Sequence, residues 1–114
     1  MFSIKQNKVA RLIQKELGDI FLKEDVGLPV EVMVTITVVR VTADLGIARV
    51  YLSIFPSKGN TELINFLNLN KKHIRFLLGN RIRNQMKEIP DLDFFVDDSL
   101  DYIDHIEELL KPKK

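Results

Sequence analysis

The chain has no cysteine, no tryptophan, only two histidines, and no apolar run that approaches the roughly 20 residues a bilayer crossing requires. Without cysteine there are no disulfides, no thiol nucleophile and no thiolate metal site. His73 and His105 fall in two separate predicted helices, so neither completes a catalytic or metal-ligand spacing with the other. The five glycines, Gly18, Gly27, Gly46, Gly59 and Gly79, include no two that stand three or five apart. That excludes a GxxG clamp and a P-loop. The opening Met1-Phe2-Ser3-Ile4-Lys5 lacks a hydrophobic signal region. These absences point away from an enzyme, a metal or cofactor site, a small-molecule substrate and a membrane, and towards the cytoplasm.

What is present is a 114-residue chain, enough for one domain with one modest core. Its formal net charge of +1 conceals segregation along the sequence. Lys5, Lys8, Arg11 and Lys15 precede the first acid, Glu16. Between Leu69 and Lys87 stand Lys71, Lys72, Arg75, Arg81, Arg83 and Lys87 with no acid among them. From Glu88 to Glu108 the sign reverses, with acids and no Lys or Arg. Segregation of this kind bears on partners more than the sum does.

Periodicity supplies the elements. Over residues 4–24, Val9, Ile13, Leu17, Ile20 and Phe21 share one arc of a helix, and the four early cations share the opposite one. Residues 32–42 are dense in β-branched side chains, and residues 47–55 alternate Ala48, Val50, Leu52 and Ile54 with Arg49, Tyr51 and Ser53. The short Thr42–Gly46 turn makes them an antiparallel hairpin. A helix capped by Asn60 or Thr61 carries Leu63, Phe66 and Leu67, and Asn68-Leu69-Asn70 interrupts it. A second helix is expected from Lys71 to Lys87 with Ile74, Leu77, Leu78 and Ile82 inward, followed by a strand through Leu92, Phe94 and Val96. An acidic helix over 99–110 and a short basic tail over 111–114 complete the reading, with residues 1–110 as one domain. Tyr51 and Phe95 are expected in core or hydrophobic-edge roles. Asp97, Asp98, Asp101 and Asp104 are read as cap and dipole-complementing acids of the last helix and not as a cation site.

On the second central helix Lys72, Arg75 and Arg83 project within an arc of about 80° that also holds Gly79. A glycine on an exposed helix face costs roughly 1 kcal/mol against alanine, which makes sense where another backbone approaches. Two basic stripes on separate helices suit the phosphates of a nucleic acid, with salt-dependent binding. The candidate RNA-binding residues are therefore Lys5, Lys8, Arg11, Lys15, Lys71, Lys72, Arg75, Arg81, Arg83 and Lys87. The order α-β-β-α-α-β predicts an α+β, type II KH-like domain: a three-stranded sheet covered by helices, with a kink at Asn70 and Lys72 in place of the GxxG loop.

Three segments carry a family resemblance. They are Thr35-Ile36-Thr37-Val38-Val39-Arg40-Val41-Thr42-Ala43-Asp44-Leu45 continuing into Ala48-Arg49-Val50-Tyr51-Leu52-Ser53; Ile74-Arg75 with Leu77-Leu78-Gly79; and Ile89-Pro90-Asp91-Leu92 with Phe94 and Asp97-Asp98-Ser99-Leu100. In this order they resemble bacterial ribosome-binding factor A over nearly the whole chain. The resemblance implies a KH-like protein without catalytic activity that associates, as a monomer, with the free 30S subunit and assists late 16S rRNA maturation. In place of the family's Ala-x-Gly kink stand Asn70-Lys71-Lys72. Two other readings remain: a KH-like protein for another structured RNA, and a protein–protein adaptor using the acidic residues Asp101, Asp104, Glu107 and Glu108.

Overall fold

In a computed structural model that describes residues 2–29, 31–55 and 60–97, the elements run α1 (Ile4–Lys23), β1 (Met33–Val41), β2 (Ile47–Phe55), α2 (Asn60–Leu69), α3 (Lys71–Ile82) and β3 (Asp91–Val96). This is the α+β, KH-like order expected from the periodicity. The acidic helix over 99–110, the tail over 111–114 and most of the break at 56–61 lie outside the described residues.

Helix α1 begins at a capping box. Ser3 Oγ accepts the Gln6 N–H at 3.1 Å, and Gln6 Oε1 accepts the Ser3 N–H at 2.8 Å. These bonds satisfy two amides that the first helical turn leaves open. The same Gln6 side chain is buried and donates its Nε2 to the Val41 carbonyl at 2.9 Å, which docks the helix on β1. Val9, Ile13, Leu17 and Ile20 then fall on one face and are buried against the sheet, as their spacing predicts.

The sheet order is β1-β2-β3, with β1 and β2 antiparallel and β2 and β3 parallel. The α2–α3 pair supplies the crossover that a parallel neighbour needs. Opposite Leu52 and Tyr51 the register of β1 slips between Ile36 and Val38, leaving Thr37 as the extra residue of a bulge. The bulge allows Ile36 and Val39, three apart, both to face the core. Simple alternation along 32–42 does not reveal it. The hairpin turn is built on Asp44, whose Oδ1 accepts the Gly46 N–H at 2.9 Å and the Thr42 hydroxyl at 2.6 Å. Those two bonds hold the Asp44 carboxyl below its ordinary pKa, the Thr42 hydroxyl contributing most. Leu45 adopts a φ of 61°, a left-handed conformation unusual for leucine, and packs its side chain against the core.

Strand β3 is an edge, and α2 closes it. Asn68 Nδ2 donates to the Phe94 carbonyl at 3.0 Å, and Asn68 Oδ1 accepts the Phe94 N–H at 2.9 Å. One side-chain amide thus takes the place of a missing strand neighbour. Phe94 itself is buried and meets Phe21 edge-on at 6.3 Å. On α2 and α3, Leu67, Ile74, Leu78 and Ile82 complete the core.

Helix α3 ends at Ile82 and not at Lys87 as its periodicity suggested. Gln85 and Met86 both return their N–H groups to the Ile82 carbonyl, closing a turn that brings Met86 and Ile89 back onto the core. Apolar burial outweighs the helix propensity of the 83–87 stretch. Across the α1–α3 seam, Arg81 bonds Asp19 and, at 3.2 Å, Glu24. Asp19 also receives Lys23 at 3.3 Å. The Asp19 carboxyl is held below its usual range, chiefly by the Arg81 hydrogen bond and then by Lys23.

Two outcomes are expected from this packing. Gly27 sits at φ 85°, and a Cβ there would come within 2.7 Å of Phe66 Cζ. Gly27→Ala should therefore cost about 1–2 kcal/mol from the left-handed backbone alone, and more from displacing the Phe66 ring, measured by urea denaturation. Because the folded Asp19 pKa is depressed, its contribution is present above the unfolded carboxylate pKa and is lost as pH falls through the folded value. Asp19→Asn should lower Tm at pH 7, and the gap to wild type should close as the pH is taken below about 4.

Candidate nucleic-acid interface

The α1 cations are placed by the helix rotation that its buried face dictates. With Val9, Ile13 and Leu17 inward, Lys5, Lys8, Arg11 and Lys15 are all exposed. None of them has a carboxylate partner among the described residues. Gln6 and Gln14, by contrast, turn to the sheet, Gln14 Nε2 donating to the Ile36 carbonyl at 3.3 Å.

The α3 cations are more divided than the sequence suggested. Lys71 Nζ pairs with Asp93 at 3.0 Å, and Arg75 Nε stands 3.6 Å from Asp91. Arg75 also donates to the Ile89 carbonyl, from Nη2 at 2.6 Å, and to the Pro90 carbonyl, from Nε at 3.2 Å. It clamps the chain that leads into β3. Arg81 is engaged with Asp19 and Glu24 across the α1–α3 seam. Lys72, Arg83 and Lys87 are exposed and have no carboxylate partner among the described residues. Arg83 follows the last helical residue, and Lys87 lies beyond it. The acid-free run 69–87 is therefore acid-free only along the sequence, because β3 brings Asp91 and Asp93 beside Lys71, Lys72 and Arg75.

The glycine on this face has a different explanation from the one its exposure suggested. A Cβ on Gly79 would stand 3.4 Å from Ile89 Cγ1, so what meets this face is a side chain of the same chain and not a partner's backbone. Residues 89 and 90 thus lie across the arc between Arg75 and Arg83, and a continuous Lys72–Arg75–Arg83 stripe is interrupted there. Folding brings together another pair that sequence distance hid. Lys5 of α1 and Lys87 line one groove of about 350 Å³, beside Asp44 and Glu88.

Between the central helices stands Asn70, with φ −104° and ψ 13°. Its Nδ2 donates to the Phe66 carbonyl at 2.9 Å, and its own N–H is shared between the Phe66 and Leu67 carbonyls at 3.1 Å. The junction is a tight bend held by side-chain and backbone bonds, with Lys72 exposed just after it. It has no flexible glycine clamp.

Tyr51 and Phe95, expected in the core or at its edge, stand on the opposite face of the sheet. Neighbours in the β2–β3 register, they stack on each other with centroids 5.4 Å apart. Every described helix packs on the other face, so strand alternation sends these two rings away from the core. Sequence reading also passed over Arg40 and Arg49, which are register partners on β1 and β2 and exposed on this same face. Their signal was available: each occupies the alternate position to buried neighbours, Val39 and Val41 around Arg40, Ala48 and Val50 around Arg49. Among the described residues, no helix is long and apolar enough to cross a membrane.

With this geometry in view, relatives can be compared. The sequence pattern of ribosome-binding factor A matches residues 5–110. Ribosome-binding factor A of Cytophaga hutchinsonii is 44% identical over 118 aligned residues, covering 100% of this chain and 89% of the relative. That of Prosthecochloris aestuarii is 50% identical, covering 96% of this chain and 88% of the relative. Among solved structures, the crystal structure of ribosome-binding factor A from Thermus thermophilus superposes with a TM-score of 0.63 at 21% identity, covering 80% of this chain and 94% of that one. A homology model of the Thermus thermophilus factor, fitted into a cryo-EM map of a 30S complex, gives 0.60 at 22% identity, covering 78% and 91%. The superpositions share the fold, while the sequence matches span the domain from α1 to beyond β3. On that evidence the chain belongs to the ribosome-binding factor A family.

Proposed function

We propose that this chain binds the free 30S subunit through its 16S rRNA and assists late rRNA maturation and subunit assembly, acting in the cytoplasm as a monomeric RNA-binding factor and not as an enzyme. Family membership supports ribosome binding, and the Thermus thermophilus relative has been placed in a 30S complex. The observation that carries the RNA assignment is the α1 face, where Lys5, Lys8, Arg11 and Lys15 are exposed together and lack carboxylate partners among the described residues. An uncompensated row of cations on a rigid helix suits a phosphate backbone. Lys72, Arg83 and Lys87 extend the cationic surface. Lys71, Arg75 and Arg81 contribute chiefly by holding α3 and the 89–90 segment in place, because their side chains are already engaged.

Replacing Lys5, Lys8, Arg11 and Lys15 by Gln should weaken 30S binding without lowering Tm. The slope of log K against log salt should become shallower by roughly 3 units, at about 0.7–0.9 per lost phosphate contact. Sedimentation with purified 30S subunits over a salt series reads both quantities, and unchanged binding would contradict the assignment. Lys72→Gln with Arg83→Gln should weaken binding with the fold intact. Arg75→Glu should lower Tm as well as affinity, since it strips three bonds to two carbonyls and sets a carboxylate beside Asp91. Equal Tm values for Arg75→Glu and wild type would show that the 89–90 clamp is dispensable.

A further inference from the structure

We propose that the sheet face that no described helix covers is a second RNA site, which takes unpaired nucleotides by stacking on the Tyr51–Phe95 pair with phosphates on Arg40 and Arg49. The inference rests on the reading of this chain as an rRNA-binding factor, but uses none of the residues assigned above. Phe95 is 40% exposed and Tyr51 half-buried, and their rings stack in adjacent strands. A base can extend that stack without a sequence-specific contact, which is how sheet-borne aromatics hold single strands. Two residues along β2 from Tyr51, about 6.6 Å at the usual strand rise, stands Arg49, with Arg40 opposite it. That spacing is close to one nucleotide of extended chain.

Charge complementarity supports this occupant. Arg49 has no carboxylate partner among the described residues, and Arg40 lies over the Phe2 ring at 5.5 Å from its centroid. Phe2, Arg40, Arg49 and Tyr51 line one hollow of about 630 Å³. Three carboxylates alternate with Phe95 along and just beyond β3. Asp91 stands 3.6 Å from Arg75, Asp93 is the register neighbour of Arg49 but pairs with Lys71, and Asp97, which lines the same hollow, accepts the Thr37 hydroxyl. The remaining exposed apolar side chains, Met33 and Phe55, are paired at the far end of the ribbon beyond Thr35 and Ser53. The face thus mixes aromatic, hydroxylic and cationic side chains with the half-buried Val38 and the carboxylates of β3, without the unbroken apolar strip that a docking helix would bury.

The sequence provides its own reporter. Tyr51 and Tyr102 are the two tyrosines and there is no tryptophan, so full-length Tyr102→Phe protein fluoresces from Tyr51 alone. Titration with a short single-stranded oligouridylate should quench that emission, and a duplex of the same length should quench it far less. Phe95→Leu should weaken the affinity about tenfold. Arg40→Gln with Arg49→Gln should make the salt slope shallower by roughly 1.4 units, at about 0.7 per single-strand phosphate. No quenching, or equal quenching by duplex, would overturn the proposal. Quenching that emerges only after Asp101, Asp104, Glu107 and Glu108 are replaced by Asn or Gln would also overturn it, in favour of the chain's own acidic segment as occupant. Sedimentation of the same Tyr102→Phe protein with 30S subunits separates the two readings, since binding there without quenching removes this site and leaves the α1 assignment standing.

Discussion

The rotation of α1 about its own axis is the constraint on which the rest depends. Burying Val9, Ile13, Leu17 and Ile20 contributes about 1.5–3 kcal/mol for each large side chain, which decides the face that meets the sheet. The Gln6 bond to the Val41 carbonyl contributes only about 1 kcal/mol but is directional. It sets where along β1 the helix sits, and the capping box fixes the start of the helix on the same side chain. Once that rotation is set, four cations have nowhere to go but outward. The putting together of a cationic surface is here a by-product of an apolar one.

A second consequence concerns the central helices. In a KH-like domain the junction between them ordinarily carries a glycine clamp, and here the junction is an Asn70 bend closed on the Phe66 carbonyl. Asn68, two residues earlier, binds both backbone groups of Phe94 and so fixes α2 against the edge of the sheet. The junction is therefore held from both sides. Its rigidity suits a surface that presents charges at fixed positions to a folded RNA better than one that closes on a loose strand.

Much of the fold was legible because one periodicity dominated each element. The α1 arc, the alternation of Ala48, Val50, Leu52 and Ile54, and the inward Ile74, Leu78 and Ile82 all follow from a single repeat. What escaped were features that depend on residues far apart in sequence. The bulge at Thr37 depends on the β1–β2 pairing and adjoins the Ile36 carbonyl that Gln14 of α1 binds. The early end of α3 answers to the burial of Met86 and Ile89. Likewise the α3 cations read as a uniform basic stripe until Asp91, Asp93, Asp19 and Glu24 were brought alongside. Charge counted along a chain is not charge counted across a surface, and only α1 passes both counts.

That difference can be read lysine by lysine. Amine-reactive labelling of the free protein and of its 30S complex, followed by mass spectrometry, compares residues of similar chemistry in one sample. Lys8 and Lys15 are exposed and unpaired among the described residues, while Lys71 is paired with Asp93 and Lys23 with Asp19. If the α1 face is the RNA surface, Lys8 and Lys15 lose reactivity in the complex, and Lys71 and Lys23 change little. Protection of Lys71 with Lys8 and Lys15 still fully reactive would contradict the account.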